Sequence, residues 1–393
     1  MTDAAWIDRV APAYVRSLEV YQPGKPIEEL ERELGITGAI KVASNENPLG
    51  PSPRALEAVA AVLPQLHLYP DAGGHALRRA LAHSLTAALA QSAAAKGAHI
   101  APERVALGAG SNELLYQLVL ATCEPGDEVL SHEFAFLSYR LAAAVANRAF
   151  VAAPTTAALS LDVGALISRI SPRTKLVIVG TPNNPTGSVV TSAELEQLRA
   201  ALPARALLVV DEAYREYADA WPEIDHADGL AAAALDRRVV LLRTFSKIYG
   251  LAGLRVGYAV ADPEVVDLLG RVTRTFNVGT AAQVAAQAAL GDAEHLARSA
   301  QHGRFCIEEL RSRLGAALGG AGVRVLPSLA NFVLVDTGRP ALSAYQRLLA
   351  RGVIVRPMAA WGLPNHLRIS AASAAELPRV IQAVIDVLSH AEP

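Results

Sequence analysis

The feature that most limits what this chain can fold into is an alternation, from Lys41 onward, of short apolar runs with longer segments of helical period. Such alternation is typical of an α/β fold, in which helices cover a largely parallel sheet. The clearest predicted strands end near glycine, proline or charged residues: 104–107, 128–130, 176–179, 207–210, 239–242 and 256–260. Open α/β sheets bind ligands at the carboxyl ends of their strands, so polar residues that follow these runs are candidate site residues.

The residue pattern of the chain changes after Ala281, where a long alanine-rich helical stretch is followed by a glycine cluster at 319–322 and a strand-like run at 331–335. A length of 393 residues suits two or three domains of about 150 residues each. We predict a large domain with a mostly parallel sheet flanked by helices, and a smaller α+β domain. The predicted regions are an N-terminal arm with part of the small domain (1–42), the large domain (43–280) and the C-terminal small domain (281–393).

Charge and composition favour a small-molecule partner. The net charge is −2 without long runs of either sign, so nothing points to a nucleic-acid or anionic-membrane partner. No stretch approaches about 20 uninterrupted apolar residues, and the N-terminal residues carry acids where a secretion signal needs bases. Cys123 and Cys306 stand far apart, which predicts two packing thiols in a reducing, cytoplasmic setting. The histidines lack metal-ligand spacing, and we predict no metal site.

A lysine flanked by hydroxyls follows the predicted strand 239–242. Thr244, Ser246 and Lys247 stand together there, and Arg255 follows in the next loop. A lysine can hold an aldehyde cofactor as a Schiff base, while hydroxyls and a guanidinium neutralise its phosphate, so the segment implies pyridoxal phosphate chemistry. Imine formation needs the neutral amine, so burial and Arg255 would have to lower the pKa of Lys247. Taken alone, a lysine after a strand is more often a solvated side chain.

Two further loops follow predicted strands. The glycine-containing turn 108–113 carries Ser111 and Asn112 and opens a helix, whose backbone N–H groups can cradle a phosphate. The loop 181–187 is fixed by two prolines and a glycine, and it offers the amide of Asn184 as a donor. Each loop alone could be an ordinary turn.

The apolar run 207–210 reads as a strand buried on both faces, and it terminates in Asp211, with Tyr214 close behind. A carboxylate at a buried strand end is costly unless it is paired. A protonated pyridine nitrogen would pair with Asp211, and Tyr214 is near enough in sequence to reach the ring oxygen. The alternative is a pair of acids favoured by a helix N-terminus. The succession of this motif with the lysine and the two loops favours the cofactor.

With these motifs in order, the chain resembles the fold type I pyridoxal-phosphate-dependent aminotransferases over about residues 21 to 373. Within that group, the amino-acid sequences of four segments are similar to those of histidinol-phosphate aminotransferases: 21–30, 44–50, 69–71 and 331–332. Aromatic aminotransferases share several of these segments.

The resemblance implies roles for the cofactor residues. Lys247 would form the Schiff base and carry the proton, and Asp211 would pair with the pyridinium. Asn184 and Tyr214 would donate to the ring oxygen. The phosphate would be held by Ser111, Asn112, Thr244, Ser246 and Arg255. The aromatic that stacks on the ring would be Phe136, with Phe134 as the alternative because the register there is open by a residue or two.

The resemblance also implies a substrate pocket shared between two subunits. Tyr69 would reach the cofactor phosphate of the neighbouring subunit, which makes a homodimer part of the active site, and Tyr21 would line the partner's substrate pocket. Arg368 would bind an acidic group of the substrate, since a planar guanidinium suits carboxylate recognition. Arg356 would be a second anion contact, and Asn45 of the 44–50 motif would lie on the substrate side.

The activity implied is transamination between an amino donor and a 2-oxo acid: L-histidinol phosphate and 2-oxoglutarate would give imidazole-acetol phosphate and glutamate, in histidine biosynthesis. An aromatic amino acid aminotransferase is the main alternative, and a decarboxylase or oxidase on the same fold is another, because fold similarity does not settle substrate. A non-enzymatic ligand sensor is disfavoured, since about 40 residues before the fold are too few for a helix-turn-helix domain.

Overall fold

The computed structural model describes residues 4–18, 24–92 and 94–389. The strands in these ranges are β1 (Ile40–Lys41), β2 (Val105–Gly108), β3 (Glu128–His132), β4 (Ala149–Ala153), β5 (Thr174–Gly180), β6 (Leu207–Asp211), β7 (Val239–Thr244), β8 (Gly257–Val260), β9 (Arg324–Val325), β10 (Phe332–Asp336), β11 (Val353–Ile354), β12 (Arg356–Pro357) and β13 (His366–Ser370). The helices are α1 (Ala4–Val10), α2 (Ala13–Arg16), α3 (Ile27–Leu34), α4 (Pro53–Val62), α5 (His75–Leu89), α6 (Ser111–Thr122), α7 (Leu137–Val145), α8 (Val163–Ser168), α9 (Ser192–Ala201), α10 (Arg215–Ala218), α11 (Gly229–Leu235), α12 (Pro263–Val272), α13 (Thr280–Leu290), α14 (Ala293–Leu318), α15 (Ala341–Leu349) and α16 (Leu377–Ser389).

The main sheet has seven strands in the order β2-β8-β7-β6-β5-β3-β4. β8 runs antiparallel to β2 and β7, and the other neighbouring strands pair in parallel. The predicted α/β fold with a mostly parallel sheet is therefore confirmed. All six predicted strands of this sheet are present, whereas the sequence pattern missed the edge strand β4.

Both faces of the main sheet are covered. Successive residues of a strand point to opposite faces, and accordingly Leu208 packs with helices α5, α9, α11 and α13, while Val209 packs with α6, α7 and α12. Burial on both sides explains why the central strands are uninterrupted apolar runs.

A separate core surrounds the four-stranded sheet β12-β13-β10-β9, together with α14, α15 and α16. β1 pairs in parallel with β11, and both Ile40 and Val42 belong to this core, so the chain before the main sheet packs with its C-terminal part. Helix α13 instead packs on α4 and α5 in the main core. The region boundaries at 42 and 280 stay predictions, and we propose a C-terminal boundary nearer to the start of α14.

The neighbouring strands β5, β6 and β7 are parallel, so their carboxyl ends meet at one edge of the main sheet. The loops after these strands carry the asparagine, aspartate and lysine motifs of the sequence. The fold therefore brings three separate motifs to a common place. No helix in the described part of the chain has the length and apolar character needed to cross a membrane.

Candidate active site

A cavity of about 140 Å³ opens at this edge of the sheet. Every predicted cofactor residue except Tyr69 lines it: Ser111, Asn112, Phe136, Asn184, Asp211, Tyr214, Thr244, Ser246, Lys247 and Arg255. Gly110, Tyr139, Gly180, Pro182 and Ala213 line it as well. Residues that are far apart in sequence thus surround one space.

Lys247 lies in the loop after β7, with its ammonium group inside the cavity wall. Nζ donates a hydrogen bond to the carbonyl oxygen of Ser44 at 3.2 Å and lies 5.7 Å from the ring centre of Tyr214. Burial, followed by the positive charges of Arg368 and Arg255, lowers the pKa of Lys247 to about 8. About a tenth of the amine is therefore neutral at pH 7, far more than for an ordinary lysine, and the neutral amine is the form that attacks an aldehyde.

Asp211 is the last residue of β6, and only 8% of it is exposed. Its Oδ2 accepts a hydrogen bond from the Tyr139 hydroxyl at 3.0 Å, and its Oδ1 accepts one from the backbone N–H of Ala213 at 3.2 Å. Burial raises the pKa of Asp211 to about 6, while these hydrogen bonds act in the opposite direction. A buried carboxylate of this kind is stabilised by a cation placed beside it.

Buried hydrogen bonds support two polar side chains of the cavity wall, Asn184 and Tyr214. Arg368 donates from Nη1 to Oδ1 of Asn184 at 2.5 Å and from Nη2 to the carbonyl oxygen of Ala43 at 2.6 Å. Because Oδ1 of Asn184 accepts from Arg368, its Nδ2 group remains as a donor toward the cavity. The hydroxyl of Tyr214 accepts a hydrogen bond from Nδ2 of Asn45 at 2.9 Å.

An anion cradle occupies another part of the cavity wall. Arg255 donates from Nη1 to Oγ of Ser246 at 3.1 Å, and Oγ1 of Thr244 accepts from the backbone N–H of Ser246 at 3.1 Å. Ser111 begins α6, so N–H groups at the start of this helix add a positive dipole end. Hydroxyls, a guanidinium and a helix N-terminus together fit a phosphate group.

The backbone of the cradle is tightly packed. A Cβ atom on Gly110 would lie 2.7 Å from Nη2 of Arg255, and one on Gly257 would lie 2.4 Å from the backbone nitrogen of Ser111. Glycine at 110 lets the guanidinium approach the helix start, and glycine at 257 lets β8 approach it. The chemistry suits an anion rather than a metal ion, and among the described residues no group of three or more His, Cys, Asp or Glu could hold a metal.

The two candidate stacking aromatics lie in different places. Phe136 lines the cavity, and its ring meets Tyr139 edge-on with centroids 5.8 Å apart. Phe134 packs instead against a separate apolar cluster that includes Met358 and Trp361. The geometry favours Phe136, and its stacking role stays a prediction.

The predicted substrate residues are divided between the cavity and its surroundings. Arg368 is buried on β13 and reaches the cavity through Asn184. Arg356 on β12 stands opposite Arg368 on β13 in the strand register. Its guanidinium lies 5.5 Å from the ring centre of Trp361, and Arg356 does not line the cavity. Asn45 is fully buried and supports Tyr214, which gives its amide a positioning task that the sequence motif alone did not indicate.

Of the two tyrosines predicted to act across a dimer, only Tyr69 belongs to the described residues, and it lies outside the cavity lining of this chain. Tyr69 is 81% exposed and stacks on Phe276, with ring centroids 4.5 Å apart. Tyr21 lies outside the described residues. Both assignments stay predictions.

Sequence reasoning missed Tyr139 as a functional candidate. It is buried beside the strand-end carboxylate, and its hydroxyl donates to Asp211. The contact joins residues 72 positions apart in the chain, so no local spacing in the sequence indicated it.

Comparison with known proteins gives consistent matches over nearly the whole chain. The model of the family described as aminotransferase class I and II matches residues 37–384. A histidinol-phosphate aminotransferase from Anaeromyxobacter sp. (strain Fw109-5) is 44% identical over 380 residues, which cover 96% of this chain and 99% of that protein. One from Rhodospirillum centenum is 45% identical over 357 residues, covering 90% of this chain and 93% of that protein.

Solved structures share the fold. The histidinol-phosphate aminotransferase from Sinorhizobium meliloti, in complex with pyridoxal-5'-phosphate, superposes with a TM-score of 0.81 at 29% identity, covering 96% of this chain and 97% of that one. A double mutant of Thermus thermophilus aspartate aminotransferase gives a TM-score of 0.80 at 27% identity, covering 96% and 99%. The resemblance predicted from the motifs is confirmed: this chain belongs to the class I and II aminotransferase family, with histidinol-phosphate aminotransferases among its matched relatives.

Proposed function

We propose that the chain transfers the amino group of L-histidinol phosphate to 2-oxoglutarate, giving imidazole-acetol phosphate and glutamate in histidine biosynthesis. The observation that carries this proposal is the meeting, in one cavity, of a lysine of lowered pKa, a buried carboxylate and an anion cradle. Membership of the family supports transamination, and the names of the matched relatives support the substrate.

The cofactor in this proposal is pyridoxal 5'-phosphate, whose ring supplies an electron sink for the carbon that loses a proton. Asp211 would pair with the ring nitrogen, Asn184 and Tyr214 would donate to the ring oxygen, and Phe136 would pack on the ring. The residues that would hold the phosphate are those of the cradle with its helix start: Ser111, Asn112, Thr244, Ser246 and Arg255.

Lys247 has two tasks in this arrangement. Its Nζ would hold the cofactor aldehyde as a Schiff base, and as a free amine it would accept the proton from the substrate carbon. Both tasks need the unprotonated amine, which the lowered pKa makes available near pH 8. Nearby Arg368 and Arg255 favour this form because they oppose a further positive charge.

The rate at which the apoprotein captures pyridoxal phosphate should rise with pH and level off above about pH 8. The sign follows from the direction of the shift: a lowered amine pKa moves the neutral form to lower pH, and below pH 8 its fraction falls about tenfold per pH unit. Stopped-flow absorbance across this range measures it, with Nα-acetyl-lysine as the reference amine, whose rate should climb toward about pH 10.4. A capture profile equal to that of the reference would contradict a buried, activated lysine.

Arg368 is the proposed anion contact for both substrates, because its guanidinium is buried and already supports Asn184. Lysine at this position keeps the charge but loses the fork of donors, so Arg368→Lys should lower kcat/KM by about 10²-fold, consistent with losing one or two charge-assisted hydrogen bonds. Initial rates with both substrates measure this. Arg298→Lys, at an exposed position on α14, is the matched control and should be unchanged. Equal rates in Arg368→Lys and wild type would remove Arg368 from the site.

A homodimer is part of the proposal. Tyr69 is largely exposed, as are Leu63, Leu66 and Leu68 shortly before it in sequence, and exposed apolar side chains of this kind suit burial against a second copy of the chain. Tyr69 would then contribute to the partner's cofactor phosphate site. A monomer in sedimentation equilibrium of the cofactor-loaded protein would contradict this part.

A cytoplasmic location stays a prediction, with which the buried free thiols of Cys123 and Cys306 are consistent.

Product analysis tests the proposed reaction directly. The holoenzyme is incubated with 2-oxoglutarate and either histidinol phosphate or phenylalanine, and glutamate and the oxo product are measured by NMR. The proposal expects equal amounts of glutamate and imidazole-acetol phosphate, with histidinol phosphate far preferred over phenylalanine. Preference for phenylalanine would favour the aromatic alternative, and release of carbon dioxide from phenylalanine without formation of glutamate would favour a decarboxylase.

A further inference from the structure

Tyr139 contacts two groups that face the cofactor cavity. It lies in the first turn of α7 with only 1% of its surface exposed, and its hydroxyl donates to Oδ2 of Asp211 at 3.0 Å. Its ring meets that of Phe136 edge-on, at an interplanar angle of 87°. A single buried side chain therefore touches both the strand-end carboxylate and the candidate stacking aromatic.

Space for this hydroxyl is created by a glycine on the neighbouring strand. Gly180 ends β5 and stands opposite Asp211 in the pairing of β5 with β6. A Cβ atom on Gly180 would lie 2.9 Å from the Tyr139 hydroxyl, so an alanine would force the phenol or the strand to shift. Because Gly180 has no side chain, the Tyr139 phenol can fill the space beside the Asp211 carboxylate.

We propose that Tyr139 is a positioning residue, whose hydroxyl holds the Asp211 carboxylate in place and in its charged form at the cavity wall. Among the described residues, the Asp211 carboxylate has two hydrogen-bond donors, the backbone N–H of Ala213 and this phenol, and only the phenol binds Oδ2. Phenylalanine at 139 would keep the apolar packing and remove this donor. The inference rests on the proposed pairing of Asp211 with the ring nitrogen.

The charges around Asp211 give the hydroxyl a measurable effect. Burial and the neighbouring Glu212 raise the pKa of Asp211, while Tyr139, the Ala213 amide and Lys247 lower it. The phenol of Tyr214 also faces this group. A hydrogen bond to the ionised form lowers a carboxyl pKa, so its loss raises that pKa and leaves less of the carboxylate charged in mildly acidic solution. The pairing with a protonated ring nitrogen then weakens first at low pH.

Equilibrium dialysis of pyridoxal phosphate against the apoproteins, from about pH 5 to about pH 9, tests the proposal without any amino substrate. Tyr139→Phe should weaken cofactor binding by about tenfold near pH 6, the loss expected for one hydrogen bond to a charged group, and the acidic fall in affinity should move to higher pH. Asp211→Asn should bind weakly throughout. The double variant should be no weaker than Asp211→Asn alone, because the hydroxyl acts through the carboxylate.

Tyr116→Phe is the matched control, since Tyr116 is a partly buried tyrosine packed against the same core, and its cofactor affinity should equal that of wild type. A loss in Tyr139→Phe that is the same at every pH, or that persists in the Asp211→Asn background, would assign Tyr139 to packing only and overturn the proposal. If Tyr139→Phe does not fold, Gly180→Ala displaces the phenol from the other side and must reproduce the shifted acidic limb. Unchanged affinity in Asp211→Asn would overturn both the pairing and this inference, whereas a wrong amino substrate would leave these binding results intact.

Discussion

Replacing Lys247 with alanine is expected to reduce kcat/KM for transamination by at least about 10⁴-fold, because the variant loses both the group that binds the cofactor aldehyde and the group that moves the proton. The loss should appear mainly in kcat, since the anion cradle and Arg368 remain to bind the ligands. Burial and the nearby charges of Arg368 and Arg255 lower the pKa of Lys247, so alanine also removes an amine that is prepared for this chemistry. Steady-state rates with saturating pyridoxal phosphate measure the effect.

Two controls separate this role from a general effect of losing a lysine. Lys96→Ala, in an exposed loop, should retain wild-type rates. Lys247→Arg keeps the positive charge but cannot form the imine, so it should be as inactive as the alanine variant. Turnover of Lys247→Ala at the wild-type rate would remove the basis of the whole assignment.

Asp211→Asn should lower kcat by about 10²- to 10³-fold, the range found when a preorganised electrostatic partner of a transition state is removed. The substitution keeps the size of the side chain and one of its two acceptor oxygens, so the loss reports mainly the negative charge. Burial raises the pKa of Asp211 to about 6 when no cation lies beside it. A protonated ring nitrogen would lower that pKa, so the acidic fall of the wild-type rate should lie below about pH 6 and should be absent from the variant. The pH dependence of kcat between about pH 5 and about pH 8 measures both effects.

Asp267→Asn is the matched control, since Asp267 is an exposed carboxylate on α12 whose partner is Arg271. Its rates and pH profile should equal those of wild type. An Asp211→Asn enzyme with the wild-type rate and an unchanged acidic limb would show that the buried carboxylate takes no part in catalysis.

The strands of the main sheet could be predicted because the central ones are buried on both faces and read as continuous apolar runs. The edge strand β4 has no such signature. Its sequence, Ala-Phe-Val-Ala-Ala, is mostly partly exposed and contains small residues that suit a helix equally well. Parallel pairing with β3 decides its conformation, and that tertiary contact cannot be seen in a local pattern.

The cofactor side of the site was predictable for a related reason. Asn184, Asp211 and Lys247 each follow a recognisable strand, and the carboxyl ends of parallel neighbours must meet. Tyr139 and the supporting contact of Asn45 with Tyr214 depend on side chains brought together from distant segments. No spacing in the sequence specifies such contacts, and the choice between Phe134 and Phe136 likewise needed the path of the loop before α7.

The most direct test of the account follows the visible absorption of the cofactor-loaded protein while histidinol phosphate, phenylalanine and glutamate are added separately, without an oxo acid. We expect histidinol phosphate and glutamate each to convert the bound cofactor to pyridoxamine phosphate, histidinol phosphate at low concentration, and phenylalanine to act weakly. Conversion by phenylalanine without a response to histidinol phosphate would contradict the proposed substrate. A protein that shows no visible cofactor band when loaded would contradict the role of Lys247 itself.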